Sequence, residues 1–492
     1  RLDENLRTGP DYEPRRMQTH FGFRDDKGSF ALATERCFGV GKCRGLDGGT
    51  MCPSFMATRE EMHTTRGRAH LLFEMMRGDA LGDGWRSEPV KEALDLCLAC
   101  KGCKHECPVS VDMATYKAEF LSHYWEGRMR PMAAYAMGHI RTWARLAAVA
   151  PRFLDSLLAI PGVEALAKAI AGVACQRSLP RLPPRTFRAW FASRPAPQHT
   201  PVRGRVILWP DTFHDHFLPH AAQAAVEVLE AFGYGVDLPE RPLCCGRPLY
   251  DYGMLDVAKQ RLAEILHALG PAARAGARIV VLEPSCASVF RDELTNLFAE
   301  DEDAKRLAEQ TFLLGELLLR DEVPLPKLER KAIVHGHCHQ RAVLDELKGE
   351  TDVLKALGLD VEVLDSGCCG MAGSFGYEKD KYEVSMTIGE QRLLPAIRRA
   401  PDDAIVVADG FSCREQIVHG TERRALHLAE VLQMAVREGG QGVARPRPEQ
   451  GYTDAMPRRS PVRALVTIAL AMVALAGVVR LARVRRTSAF AT

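Results

Sequence analysis

Hydrophobic and polar positions along the chain change their period in a way that divides it. Over residues 58–96 and again over 112–175, apolar residues recur every three or four positions, which predicts amphipathic helices. Ser87-Glu88-Pro89 marks one helix start. The stripes Tyr116, Phe120, Tyr124 and Ile140, Trp143, Leu146 are expected to face a core. From 205 to 438 the pattern becomes short β-branched runs (RVILW, IVVL, KAIV, AIVV) alternating with amphipathic helices. That alternation predicts a largely parallel sheet with helices on its faces. The order of runs repeats, so 205–330 and 331–438 are read as two halves.

Three stretches carry no sustained period. Residues 1–36 are polar and proline-punctuated and read as a connector. Residues 176–204 hold six prolines among arginines and read as an extended linker, pinned to a neighbouring surface by Phe187, Trp190 and Phe191. A second linker covers 439–460. Beyond it, 464–479 is an uncharged apolar run flanked by arginines. It is just short of a bilayer span, and a C-terminal hydrophobic helix is expected over 461–486, as a membrane anchor or as an interfacial or buried helix.

At 492 residues the chain has room for two or three domains. With 46% hydrophobic and 26% charged residues it is globular, and a net charge of +2 gives no reason to expect nucleic acid. Most of the fifteen cysteines lie in tight groups, and no N-terminal signal peptide is visible. That excludes a secreted disulfide scaffold and points to metal in a reducing cytoplasm. Because the sequence opens at Arg1, a further segment is expected ahead of it.

The most specific chemistry lies in CLACKGCKHECP, with Cys97, Cys100, Cys103 and Cys107 spaced C-x2-C-x2-C-x3-C-P. Bacterial ferredoxins hold a cubane cluster with this run, and zinc knuckles use longer spacers. Small residues between the thiols, Ala99 and Gly102, allow close approach to a cluster. An earlier group, Cys37, Cys43 and Cys52-Pro53, follows the same outline, with Val40 in place of one cysteine and a glycine-rich insertion before Cys52. GVGKCRG lacks dinucleotide-loop spacing and no strand precedes it. In the repeated region Cys244, Cys245, Cys286, Cys338, Cys368, Cys369 and Cys413 each follow an apolar run, where ligands collect in parallel sheets. His335, His337 and His339 could offer nitrogen ligands or hydrogen bonds. Cys175, alone, is expected to be a small buried hydrophobe.

Two cysteine runs separated by helices resemble the α-helical ferredoxin module of respiratory iron–sulfur subunits. The C-x2-V-x2-C departure resembles the succinate dehydrogenase iron–sulfur subunit, whose cluster there is [3Fe-4S]. In two-cluster ferredoxins the fourth cysteine of each run serves the other cluster. Applied here, this implies a [4Fe-4S] cluster on Cys97, Cys100, Cys103 and Cys52. Cys37, Cys43 and Cys107 would hold a second cluster, either [3Fe-4S] or a labile [4Fe-4S] with one non-protein ligand. The halves of 205–438 resemble the cysteine-rich CCG domain. In the second half Cys338, Cys368, Cys369 and Cys413 carry its pattern, with Gly410 at a missing cysteine. In the first half Asp211 and Glu283 replace cysteines and leave Cys244, Cys245 and Cys286, so packing is favoured there over a cluster.

The expected fold is therefore multidomain: an all-α ferredoxin-like module at 37–175, an α/β CCG domain with two parallel-sheet repeats at 205–438, then the C-terminal hydrophobic helix. This order resembles the C-terminal half of fused FAD/iron–sulfur dehydrogenases of the D-lactate dehydrogenase and glycolate oxidase type. It implies an oxidoreductase component that needs FAD on a missing domain or partner and passes electrons to an acceptor such as a quinone, close to a membrane. A heterodisulfide-reductase-like enzyme with a catalytic CCG cluster is the alternative. An iron–sulfur sensor is disfavoured, since no DNA-recognition element is visible.

Overall fold

The computed structural model describes residues 13–78, 80–195, 200–344, 346–439 and 446–452. The N-terminal part is helical. Its main elements are Thr65–Arg77, Glu88–Asp95, Gly102–Glu106 and Met113–Tyr124. Thr64 starts the first by accepting from Gly67 N at 2.8 Å, and Asp112 starts the last by accepting from Thr115 N at 3.2 Å. The helix at Glu88 begins where Ser87-Glu88-Pro89 announced it, although the Ser87 hydroxyl makes no capping bond. Tyr116, Phe120 and Tyr124 are buried as expected.

Among the described residues seven short strands follow in two parallel sheets. In the first, β1 (Arg205–Trp209), β2 (Gly235–Asp237), β3 (Arg278–Val281) and β4 (Thr311–Leu313) lie in the order β2-β1-β3-β4. In the second, β5 (Lys331–Val334), β6 (Asp360–Val363) and β7 (Ile405–Val407) lie in the order β6-β5-β7. An isolated parallel bridge, Val407 to Leu426, stands where a fourth strand would complete the repeat. One apolar core joins the sheets, with Val206, Leu208 and Val280 packed in the same cluster as Ala332, Val334 and Val407. A second core joins the helical part to the first sheet: Phe21, Phe30, Leu72 and Phe120 share it with Trp209, Ile279 and Phe290. The two parts are therefore built against each other. Even the polar opening segment takes part, since His20 N and Phe21 N donate to the buried Glu119 carboxylate at 2.9 and 3.0 Å.

Three expectations are corrected. The stripe Ile140, Trp143, Leu146 is not core: Trp143 and Leu146 are 52% and 59% exposed, because no element packs over that face among the described residues. Cys175 is exposed, lying past the helix Val163–Ala171 with its thiol on Gln176 Oε1 at 3.2 Å. The proline-rich stretch is not extended throughout. Phe187–Ser193 is a helix capped by Thr186, and it buries Phe187 against the first sheet's core. The expected C-terminal helix at 461–486 lies outside the described residues. Among the described residues no helix is long and apolar enough to cross a membrane.

Candidate iron–sulfur centres

Left-handed backbone at Ala99 (φ 50°) and Lys101 (φ 57°) coils the run from Cys97 to Cys107 around its own thiols. Gly102 is required by contact: a Cβ there would come within 2.9 Å of the Thr50 carbonyl. Cys97, Cys100, Cys103, Cys107, Cys43 and Cys52 are buried, and Cys37 is half-buried. Cys37, Val40, Cys43 and Cys107 line one pocket, with no donor atom on Val40. Cys52 stands between the groups. Its sulfur lies 2.9 Å from Thr65 Oγ1 and receives Thr65 N at 3.0 Å, and its thiol is raised first by hydrogen bonding with Cys43, with Cys103 also close enough to act. Cys43 is in turn lowered to about 6 by that same bond.

Burial, followed by the charge of neighbouring Cys338, raises the Cys100 thiol well above its ordinary value. Burial also raises Cys103, to about 12. Thiols crowded this way resist ionising unless a metal balances their charge. None of the cysteines is in a disulfide. A buried, donor-rich set of sulfurs around a coiled loop fits an iron–sulfur cluster.

The repeated domain places its cysteines beyond the carboxyl ends of strands. Cys244 and Cys245 follow β2, Cys286 follows β3, Cys338 follows β5, Cys368 and Cys369 follow β6, and Cys413 follows β7. In the second half they converge. Cys368 is raised first by a hydrogen bond with Cys338, then by one with Cys369. Cys369 is held well below the usual thiol range by bonds from Cys368 and Cys413. His335, Cys369 and Cys413 offer ligand atoms that all lie within 4.8 Å of one another.

The first half is arranged differently. Cys245 and Cys286 sulfurs are 2.9 Å apart, and Cys244 accepts from Thr212 Oγ1 at 3.6 Å. The carboxylates in the cysteine positions act as helix caps. Asp211 accepts from Phe213 N at 2.8 Å and pairs with His214 Nδ1 at 2.5 Å. Glu283 accepts from Ser285 Oγ at 2.8 Å and, across the repeat, from Phe411 N at 2.8 Å, the start of the helix carrying Cys413.

The two thiol groups meet. Leu98, Cys100, Cys338, Cys368, Phe375 and Ile388 form one buried cluster. The Ala99 carbonyl between them accepts from Arg247 Nη2 at 3.1 Å and from His339 Nε2 at 3.0 Å. Lys101, 1% exposed, ties the same loop to the first half through Asp292 at 2.7 Å and Glu293 at 3.3 Å, and to Asp112 at 3.0 Å. Lys117 Nζ donates to Cys97 O at 2.6 Å. Sequence spacing gave no sign of Arg247, Lys101 or Lys117, whose contacts are set by the fold; His339 stood out beside Cys338 as a nitrogen ligand or a hydrogen-bonding residue, and it makes the hydrogen bond.

Fold and thiol clusters define an iron–sulfur oxidoreductase module of ferredoxin and CCG type. Residues 33–111 match the 4Fe-4S dicluster domain family, and residues 212–291 and 333–417 match the cysteine-rich domain family. The chain is 30% identical over 243 residues to lactate utilization protein A of Geobacillus thermodenitrificans, covering 46% of this chain and 98% of that protein. It is 28% identical over 442 residues to D-2-hydroxyglutarate dehydrogenase of Pseudomonas putida, covering 82% of this chain and 43% of that protein. Against one of the subunits of the anaerobic glycerol-3-phosphate dehydrogenase of Escherichia coli it is 28% identical over 291 residues, covering 58% of this chain and 72% of that protein. The chain belongs to the iron–sulfur oxidoreductase family that includes lactate utilization protein A. It spans less than half the length of the D-2-hydroxyglutarate dehydrogenases it matches.

Proposed function

We propose that this chain is the electron-transfer portion of a flavin-dependent 2-hydroxy acid dehydrogenase, of the D-lactate, glycolate or 2-hydroxyglutarate class. The observation that carries the reading is the shared burial of Cys100 with Cys338 and Cys368, which sets the ferredoxin run directly against the second CCG half. Cys97, Cys100, Cys103 and Cys52 would hold a [4Fe-4S] cluster. Cys37, Cys43 and Cys107 would hold a second, and Cys338, Cys368, Cys369 and Cys413 a third centre. Iron–sulfur clusters supply one-electron transfer, which a two-electron substrate oxidation at a flavin requires of its outlet.

The chain's own residues hold these sites in register and keep water out. Lys101 and Arg247 fix the loop onto the first half, while His339 fixes it onto the second. Cys97 borders a cleft lined also by Lys117, Asp251, Tyr252 and Lys381, the side from which a redox partner can approach. FAD would sit on a separate subunit or domain. A quinone acceptor and a membrane contact through the arginine-flanked apolar segment 464–479 complete the reading.

The test joins the chain to its flavin partner and follows flavin absorbance. With Cys368→Ala/Cys369→Ala, flavin reduction by substrate should be unchanged and reoxidation by quinone or dye slowed. Reoxidation at the unmodified rate would make the CCG domain a scaffold.

A further inference from the structure

We propose that His335 is a ligand of the second CCG half, so that its centre is held by Cys338, Cys368, Cys369 and Cys413 together with the Nε2 atom of His335. The inference rests on the reading that these cysteines bind iron.

His335 is the first residue beyond β5, and its backbone N–H still donates to Val407 O at 2.9 Å, so the sheet fixes where it stands. Its side chain is 1% exposed. Nδ1 lies 2.5 Å from Ser366 Oγ, whereas Nε2 is buried without a hydrogen bond of ordinary geometry, and the imidazole helps to lower the Cys369 thiol beside it. A buried ring nitrogen without a partner is costly, and here the ring meets two sulfurs instead: His335, Cys369 and Cys413 bring their ligand atoms within 4.8 Å of one another. The arrangement is that of a ligating imidazole, one nitrogen turned to the metal position and the other oriented by a hydrogen bond.

Neighbouring histidines are committed elsewhere. His337 Nδ1 accepts from His339 N at 3.2 Å, and its Nε2 lies 3.9 Å from the Glu283 carboxylate. Its ring fills the space above Gly410, where a Cβ would come within 2.2 Å of Cδ2. No cysteine could replace Gly410 without moving that ring. His339 spends Nε2 on the Ala99 carbonyl and belongs to no group of converging ligands among the described residues. His335 is thus the histidine left to serve the site that Gly410 leaves without a side chain.

The consequence is electrostatic. A neutral imidazole in place of a thiolate removes one negative charge from the centre and raises its reduction potential, as histidine-ligated clusters show. The second half would then be the easier of the adjoining centres to reduce and would draw electrons away from the ferredoxin run.

The experiment uses the full chain loaded anaerobically with iron and sulfide, unlabelled and with 15N-histidine. Pulsed paramagnetic resonance at half-reduction should show a directly bonded histidine nitrogen. The coupling should persist in His337→Asn and vanish in His335→Cys, which keeps its iron and titrates at a lower potential by visible absorbance. Persistence of the coupling in His335→Cys, or an unchanged spectrum and potential in that variant, overturns the proposal. Cys369→Ser separates this from failure of the underlying reading. If Cys369→Ser loses iron while the unmodified chain shows no histidine coupling, the cysteines bind iron and His335 does not. If Cys369→Ser loses none, the centre itself is refuted and the ligand with it.

Discussion

His339 Nε2 donates to the Ala99 carbonyl oxygen at 3.0 Å, linking the residue after Cys338 to the residue before Cys100. Both groups are buried, so the bond is a fixed spacer between the ferredoxin run and the second CCG half. His339→Ala removes it and leaves a small void. The expected cost is about 1–3 kcal/mol of stability. Urea unfolding followed by far-UV dichroism and by cluster absorbance should show both transitions moving together. A cluster transition that stayed in place would mean the contact does not hold the two sites in register.

Lys101 gives a larger effect. Its ammonium is almost completely buried and serves Asp112, Asp292 and Glu293. Lys101→Met leaves three buried carboxylates to two remaining cations, Lys104 beside Asp112 and Asp292 and Arg247 beside Glu293, and breaking such a group from one side costs up to about 3–5 kcal/mol. Thermal unfolding of the variant should shift down accordingly, with the ferredoxin-run iron released first. A variant within about 1 kcal/mol of the parent, the bound for surface pairs, would show that water already screens the group.

His419 predicts a pH dependence. Its Nδ1 accepts from Arg177 Nη1 at 3.2 Å, and burial, then the charge of Arg177, lowers its pKa to about 4. The folded imidazole stays neutral where the unfolded one, near about 6.5, takes up a proton. Stability contributed this way is complete above about pH 6.5 and falls as the pH drops towards about 4, by up to about 3 kcal/mol. His419→Gln keeps an acceptor for Arg177 and has no proton to bind. The unfolding free energy of the parent relative to His419→Gln should therefore fall as pH drops through that window, by up to about 3 kcal/mol, and a difference that stayed constant would count against it.

Local spacing made part of this architecture legible. Cys97 to Cys107 announced a tight loop of thiols, which the structure buries together, and the strands at 205 and 331 announced themselves by β-branched runs. The helix start at Ser87-Glu88-Pro89 follows the same local logic. What spacing could not show is adjacency between distant segments. Nothing near Cys100 says that Cys338 packs beside it, and nothing near His335 says that Ser366, thirty-one residues on, takes up Nδ1 and leaves Nε2 open. Trp143 failed for the converse reason. A helical stripe tells which residues share a face but not whether anything covers it.

The group Cys37, Cys43 and Cys107 carries the last prediction. Val40 shares their pocket and has no atom that can bind iron, so one corner of a cubane there lacks a thiolate. An oxidised sample should show the resonance of a three-iron cluster, and Val40→Cys should convert it to a four-iron cluster that is silent when oxidised. Iron should rise by about one atom per chain, the difference between the two cluster types. Val40 is 52% exposed, so the new thiol can be tolerated without repacking the core. Cys43→Ser should abolish the three-iron signal while leaving the reduced [4Fe-4S] signal of the other group. If the unmodified chain gives no oxidised resonance and Cys43→Ser loses no iron, Cys37, Cys43 and Cys107 bind no cluster and the module carries one cluster at its core.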